Sequence, residues 1–175
     1  MTQLVPQDVP TSRHLNNYIN TNYIKDDDYM TPKHAWEDIK NYIPINKVIW
    51  EAFYGDGNSG IYLQELGFNV IHDTDDFFIS NKGDIIVSNP PFSKAKQIFE
   101  RLKELDKPFI LILPTAKICS QYIREFLLNN PNKLQIIIPK KRIHFMKSNI
   151  SKSSCWFDCF YYCYKIDLPQ DIIFL

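Results

Sequence analysis

Short apolar runs alternate with helical segments between residues 47 and 138 of this 175-residue chain, and this alternation constrains the fold more than any other feature. The apolar runs have strand length and cover residues 48–53, 68–72, 84–88, 109–113 and 134–138. The segments at 61–66, 94–105 and 120–128 have the apolar spacing or the flanking signals of helices. Strands separated by helices indicate parallel βαβ units in a doubly wound α/β sheet. A sixth strand, predicted at 155–166, follows the fifth without an intervening helix, which favours an antiparallel hairpin at the sheet edge.

The N-terminal part of the chain predicts an arm followed by one domain. Residues 1–28 are polar and contain two prolines, so we expect an arm, with a short helix around 15–24. Thr31-Pro32 is typical of a helix start, with Thr31 as N-cap and Pro32 at the first helical position. Residues 29–175 show no linker or repeat and are predicted to form a single domain.

Composition and charge narrow the class of protein. Hydrophobic residues make up 45% of the chain and charged residues 23%, as in ordinary globular proteins. The apolar runs are too short to span a membrane, and the N-terminus lacks the apolar core of a signal peptide. These features predict an intracellular protein with no membrane partner. A formal net charge of zero argues against coating nucleic acid by bulk charge.

The charge is nevertheless uneven. Residues 133–152 contain six lysines and arginines and no acidic residue. A solvated basic loop and an edge that contacts phosphates both explain this pattern. In the second case the nucleic-acid-binding residues are Lys140, Lys141, Arg142 and Lys147.

No metal site is predicted. Cys155, Cys159 and Cys163 lie in an aromatic, strand-like segment, where neighbours four residues apart are about 13 Å apart. That spacing is too wide for one metal ion or a local disulfide, so we expect small buried core residues.

In an open parallel sheet, ligands bind beyond the carboxyl ends of the strands, and three such ends are distinctive. The loop after the first strand contains Gly55 and Gly57, where the backbone can approach a ligand closely. Asp73 and Asp75 follow the second strand, where a carboxylate can accept hydrogen bonds from a ribose diol. The spacing does not decide between the two. His72 is predicted to be a packed or surface residue.

The third strand ends in Asn89-Pro90-Pro91-Phe92. Two prolines stop the strand and stiffen the turn, so the Asn89 side chain and the Pro90 carbonyl are held as fixed acceptors. Two converging acceptor oxygens suit an exocyclic –NH2 group, and Phe92 offers a stacking face for the ring that carries it. Acceptors that pull on both N–H bonds favour a pyramidal nitrogen with its lone pair aimed at an electrophile.

These motifs together resemble the amino-group methyltransferases that use S-adenosylmethionine (SAM), above all the N6-adenine branch. The Asn89 turn is similar to the family's Asn/Asp-Pro-Pro-Tyr/Phe motif. The remaining matches are Glu51-x-Phe53-x-Gly55-x-Gly57, Tyr29-x-Thr31-Pro32 and Asp75-Asp76-Phe77. The order is the family's, with cofactor motifs before the catalytic turn.

The resemblance implies a reduced Rossmann-like class I methyltransferase fold, SAM as cofactor, and adenine N6 in DNA or RNA as methyl acceptor. A base in a duplex would have to be flipped out. The residues implied as catalytic are Asn89, Pro90, Pro91 and Phe92. The residues implied as cofactor-binding are Tyr29, Thr31, Pro32, Glu51, Phe53, Gly55, Gly57, Asp73, Asp75, Asp76 and Phe77.

Two departures from the family keep other functions open. The chain leaves no room for a target-recognition domain, so a protein partner, the arm or the basic segment would supply selectivity. Similar turns occur in relatives that act on other bases or on protein glutamine. A protein glutamine methyltransferase is therefore one alternative, and an inactive module that binds nucleic acid or a partner is another. The Lys-, Ile- and Asn-rich usage suggests a viral or phage origin.

Overall fold

The computed structural model describes residues 27–129, 134–147, 155 and 157–175, so all but the end of the predicted arm, with its helix at 15–24, lies outside the described residues. One seven-stranded sheet forms the centre of this part of the chain, in the order β2-β1-β3-β4-β6-β5-β7. The strands are β1 (Val48–Trp50), β2 (Asn69–Ile71), β3 (Ile85–Ser88), β4 (Phe109–Pro114), β5 (Leu134–Ile138), β6 (Cys159–Tyr164) and β7 (Ile172–Phe174).

The sheet is mostly parallel, as the alternation of strands and helices predicts. Strands β2, β1, β3 and β4 run parallel to one another, and β7 runs parallel to β5. Only β6 is antiparallel, and it lies between β4 and β5. The antiparallel hairpin of β5 and β6 is therefore present, but β7 rather than the hairpin forms the outer edge. Strand β7 was not predicted, and β6 is shorter than the predicted 155–166.

In the described ranges four α-helices accompany the strands: α1 (Lys33–Asp38), α2 (Asn58–Glu65), α3 (Ala95–Leu105) and α4 (Gln121–Asn129). Short 3₁₀ helices at Lys40–Tyr42, Phe92–Lys94 and Thr115–Cys119 precede or follow them. No helix lies between β2 and β3, in agreement with a reduced form of the fold. None of the helices in the described residues is long and apolar enough to cross a membrane.

The helices cover both faces of the sheet, as alternate side chains of β6 show. The Tyr161 hydroxyl donates to the carbonyl of Ala35 in α1 at 2.8 Å. On the opposite face the Tyr164 ring packs edge-on against Phe126 of α4. Residues 161 and 164 differ by an odd number of positions, so their side chains leave the strand on opposite sides. The chain thus has a Rossmann-like, doubly wound α/β fold.

The start of α1 corrects one prediction. Its N-cap is Pro32 and not Thr31, and no side chain caps it. Thr31 is instead buried (3% exposed), and its Oγ1 has no hydrogen-bond partner among the described residues. The end of α2 agrees with prediction, since Gly67 follows the last turn with a φ of 95°.

Candidate functional site

A buried chain of polar side chains joins the carboxyl ends of three neighbouring strands. Glu51 follows β1 and is fully buried. One of its carboxylate oxygens, Oε1, accepts a hydrogen bond from the Ser88 hydroxyl at the end of β3. The other, Oε2, lies 3.0 Å from Nε2 of His72, which follows β2. Because Ser88 directly precedes Asn89, this chain ties the proline turn to the glycine loop that follows Glu51.

The Glu51–His72 pair is shielded from water. Burial raises the pKa of Glu51, while hydrogen bonds from His72 and Ser88 work to lower it. The hydrogen bond with the Glu51 carboxylate raises the pKa of His72, against the effect of burial. The imidazole and the carboxyl group therefore titrate as a coupled pair. His72 was predicted to be a packed or surface residue, and it is packed. Its contact with Glu51 was not predicted.

The glycine loop makes room for the His72 ring. A Cβ on Gly60 would lie 2.1 Å from the ring atom Nδ1 of His72, so only glycine fits there. The Tyr54 ring covers the histidine, with stacked centroids 4.4 Å apart. Gly57 has a φ of 87° at the N-cap of α2, a left-handed conformation that glycine adopts without strain. Gly55 shares this positive φ.

The predicted ribose acceptors after β2 share one lysine. Lys82 Nζ lies 2.5 Å from a carboxylate oxygen of Asp73 and also 2.5 Å from one of Asp75. Burial works to raise the pKa of Asp73, but hydrogen bonds from Lys82 and the Asp75 backbone hold it below its usual value. Lys82 therefore joins the two carboxylates, and it is a member of the site that the sequence analysis missed.

Two further predicted cofactor residues lie in the same region. Asp76 caps the backbone N–H of Phe78 at 2.9 Å. Phe77 is buried and packs against Phe53, with ring centroids 4.8 Å apart. These contacts fix the turn after β2.

The side-chain amide of Asn89 has a hydrogen-bond partner for its nitrogen but, among the described residues, none for its oxygen. Its Nδ2 donates to the backbone carbonyl of Tyr29 at 2.7 Å. Its Oδ1 is buried and has no hydrogen-bond partner in the described part of the chain. A buried acceptor without a donor costs about 1–3 kcal/mol, so this oxygen is available to a donor from outside the described residues.

Phe92 lies in an aromatic cluster and is 7% exposed. The Tyr29 ring stacks on it, with centroids 5.6 Å apart and planes 24° apart. Phe145 and Phe157 contact it edge-on. The Phe92 face that was predicted to be open to a substrate ring is instead covered by the Tyr29 ring.

Residues 27–31, here called the strap, cross the Asn89 turn. The Asp27 carboxylate accepts from the backbone N–H of Ser93 at 3.1 Å and 3.2 Å. Met30 and Met146 exchange two backbone hydrogen bonds of 2.8 Å and 3.0 Å. The strap therefore joins the Asn89 turn to the basic segment. The sequence resemblance predicted Tyr29, Thr31 and Pro32 at the site, and the structure brings Tyr29 into contact with Asn89.

The four predicted basic residues differ in their surroundings. Lys147 lies over the Tyr29 ring, 5.3 Å from its centroid. Arg142 forms two hydrogen bonds with Asp158, of 2.6 Å and 3.1 Å, which lower the pKa of the aspartate. Lys140 and Lys141 are exposed. The segment thus reaches from the aromatic cluster to the outer part of the same sheet edge.

The cysteines are structural in this part of the chain. Cys155, Cys159 and Cys163 are buried thiols, while Cys119 is exposed. Within the described ranges, no three His, Cys, Asp or Glu side chains are arranged to hold a metal ion.

Comparisons with known proteins give structural matches only. No protein-family model and no curated protein matches the chain. One similar structure is a protein from Listeria monocytogenes assigned to the class I S-adenosylmethionine-dependent methyltransferases. It is 12% identical, the match covers 93% of this chain and 71% of that one, and the TM-score is 0.49. Another is precorrin-6Y C5,15-methyltransferase from Geobacter metallireducens GS-15, at 12% identity, 81% and 96% coverage and a TM-score of 0.40.

Proposed function

We propose that this protein transfers a methyl group from SAM to an exocyclic amine, and that the amine is N6 of adenine in DNA or RNA. The observation that carries the proposal is the buried, unpartnered Oδ1 of Asn89 at a turn stiffened by two prolines. An amino group is the donor that fits this acceptor. The Ser88–Glu51 hydrogen bond sets this turn beside the glycine loop, where the cofactor would bind.

The residues around the glycine loop fit SAM. Thr31 Oγ1 is buried without a partner among the described residues, and it would bind the cofactor together with Tyr29 and Pro32. Gly55 and Gly57 allow backbone approach to the methionine part. Residues after β2 would hold the ribose and the adenine, through Asp73, Asp75, Asp76 and Phe77. When bound, SAM supplies an electrophilic methyl group on a sulfonium.

The proline turn orients the methyl acceptor. Asn89 Oδ1 and the Pro90 carbonyl accept hydrogen bonds from the two N–H groups of the amine. These two hydrogen bonds direct the nitrogen lone pair towards the cofactor side of the turn. The nitrogen–methyl bond would form as the sulfur–methyl bond of the sulfonium breaks and leaves a neutral thioether. The methylated nitrogen would then lose one proton to water, because an alkylated aromatic ammonium is strongly acidic. Pro91 restricts the turn so that both acceptors are in place beforehand.

Stacking on Phe92 requires a rearrangement of Tyr29. The two rings lie against each other, so a flat base would enter between them or displace the Tyr29 ring. The Asn89–Tyr29 hydrogen bond couples that movement to the turn. A base drawn from a duplex would also require a few kcal/mol for unstacking. The basic segment would contribute phosphate contacts, and selection of the target by a protein partner stays a prediction.

A transfer assay tests the proposal. The protein is incubated with tritiated SAM and, separately, with DNA, RNA or cell-extract protein. We expect label in nucleic acid, and a loss of about 100- to 1000-fold in Asn89→Ala, as for other preorganised donors or acceptors at a reacting group. Asn89→Asp keeps an acceptor oxygen and is expected to retain more activity. Asn41→Ala, an exposed asparagine far along the chain, is the matched control.

The other outcomes are informative. Label in protein alone would favour glutamine methylation, in which no base is flipped. Binding of SAM without transfer to any substrate would favour an inactive module. Transfer that survives in Asn89→Ala would remove Asn89 from the mechanism.

A further inference from the structure

A surface cavity lies on the same edge of the sheet as the Asn89 turn. Its volume is about 340 Å³, and its lining residues are Thr115, Ile138, Pro139, Arg142, Asp158, Cys159 and Phe160. These residues come from the carboxyl ends of β4 and β5 and from the start of the antiparallel β6. All three points lie at the edge where a doubly wound sheet binds ligands.

The cavity is close to the Asn89 turn. Strand β4 pairs with β3, the strand that ends at Asn89, and its Pro114 pairs with Cys159 of β6. Two strand spacings amount to about 10 Å. A nucleotide next to a base held at Asn89 would therefore lie within reach of the cavity.

The polar rim of the cavity is an ion pair open to solvent. The Arg142 and Asp158 side chains are 42% and 56% exposed. The guanidinium presents Nε and one terminal nitrogen to the two carboxylate oxygens. Two oxygens of a phosphate offer the same geometry and a comparable charge. The pair can thus exchange its anion without rebuilding the site.

The apolar and basic surroundings also suit a nucleotide. Ile138, Pro139 and Phe160 give the cavity an apolar wall for a base or sugar. Lys140 and Lys141 are exposed on the chain just before Arg142. Arg142 and the two lysines before it outnumber Asp158, so this part of the chain attracts an anion.

We propose that this cavity is a subsite for a nucleotide that flanks the target base, in which the phosphate takes the place of Asp158 on Arg142. The subsite rests on the proposed function for the identity of its ligand. Asp158 holds the guanidinium in place while the subsite is empty, and it competes with the phosphate when nucleic acid arrives.

Fluorescence anisotropy of a labelled single-stranded DNA, measured over a range of salt concentrations and without SAM, tests the subsite. Arg142→Ala is expected to weaken binding about tenfold, the equivalent of one charged hydrogen-bond pair. The slope of log K against log salt should become shallower by about 0.7, the value for one phosphate on a single strand. Arg142→Lys should not restore the affinity, because lysine keeps the positive charge but lacks the planar guanidinium that binds two oxygens at once.

Asp158→Asn removes the competing anion and is expected to tighten binding several-fold. The matched controls are Arg124→Ala and Asp38→Asn, which change the same charges at exposed positions on α4 and α1. Lys141→Ala tests whether charge alone suffices. Equal effects of Arg142→Ala and Lys141→Ala, or an unchanged or weaker affinity in Asp158→Asn, would overturn the subsite.

Substitution of single linkages in the DNA locates the contact. An uncharged methylphosphonate at one linkage near the target base should weaken binding to the native protein and leave binding to Arg142→Ala unchanged. If no linkage behaves in this way, the phosphate exchange is wrong. Since these measurements need no methyl transfer, the subsite and the methyltransferase activity stand or fall separately.

Discussion

Two ion pairs lie at the same edge of the sheet and differ in their access to water. Glu51 and His72 have side chains that are 1% and 8% exposed, whereas those of Arg142 and Asp158 are open to solvent. In the buried pair, loss of one partner leaves the other without water or a counter-ion. In the exposed pair, water and salt replace a lost partner easily. We infer that the first pair holds the site together and that the second is available for exchange.

Position in the sheet explains why the two pairs differ. Glu51 lies at the end of a central strand, with Ser88 and His72 on the neighbouring strand ends. Arg142 and Asp158 lie in the connection from β5 to β6, beyond the last sheet hydrogen bonds between these two strands. The comparison therefore predicts large effects on stability in the first region and effects on ligand binding in the second.

Glu51→Ala is expected to have the largest effect on stability. Removal of one member of a buried ion pair typically costs about 3–5 kcal/mol, and here it also leaves the Ser88 hydroxyl without its acceptor. Urea unfolding followed by circular dichroism measures the change. Glu65→Ala is the control, because Glu65 forms an exposed ion pair with Lys33. Equal midpoints for the two variants would break the comparison.

Gly60→Ala is expected to destabilise the fold by about 1–3 kcal/mol, the usual cost of forcing an atom into a filled site. Alanine has a higher helix propensity than glycine, so any loss of stability must come from the clash with the His72 ring. The same substitution in a His72→Ala background should cost little or become favourable, as seen in a double-mutant cycle. Additive effects in that cycle would show that the ring does not fill the space.

The free energy of unfolding should fall as the pH rises above the pKa of histidine in the unfolded chain. The hydrogen bond with Glu51 raises the pKa of His72 above its ordinary value of 6.5. A group with a raised folded pKa contributes fully below its unfolded pKa and loses that contribution as the pH passes the folded pKa. Urea midpoints between pH 6 and pH 9 (about the window around neutral that histidine spans) should therefore decline. His72→Gln should remove this decline, and His144→Gln, at an exposed position, should keep it.

The sequence predicted the parts of the fold that depend on local pattern. Residues 85–87 are apolar and two prolines follow at positions 90 and 91, so both the existence and the end of β3 could be read from the chain. The order of the strands could not be predicted from the sequence, because the insertion of β6 between β4 and β5 depends on pairing of distant residues. Strand β7 has three residues, fewer than a periodic pattern needs to be recognised.

The site was predicted where a motif carries it and missed where a contact does. The Asn89 turn and the loop after β1 are each formed by a few neighbouring residues, whereas His72 contacts Glu51 from another strand end and Lys82 contacts Asp73 and Asp75 across the turn after β2. One signal could have found His72. Glu51 ends an apolar strand, and a buried carboxylate requires a partner, which a basic side chain at the end of the neighbouring β2 would supply.

The exposed pair should show the smallest effect on stability. Arg142→Ala and Asp158→Asn are expected to leave the urea midpoint unchanged within error, because a solvent-exposed ion pair gains little over two hydrated charges. The same two variants are expected to change nucleic-acid affinity in opposite directions. A loss of stability comparable to that of Glu51→Ala would mean that Asp158 fixes the β5–β6 connection, and such a pair could not release its arginine to a phosphate. Stability and affinity measured on the same variants therefore decide whether the outer pair holds structure or exchanges ligands.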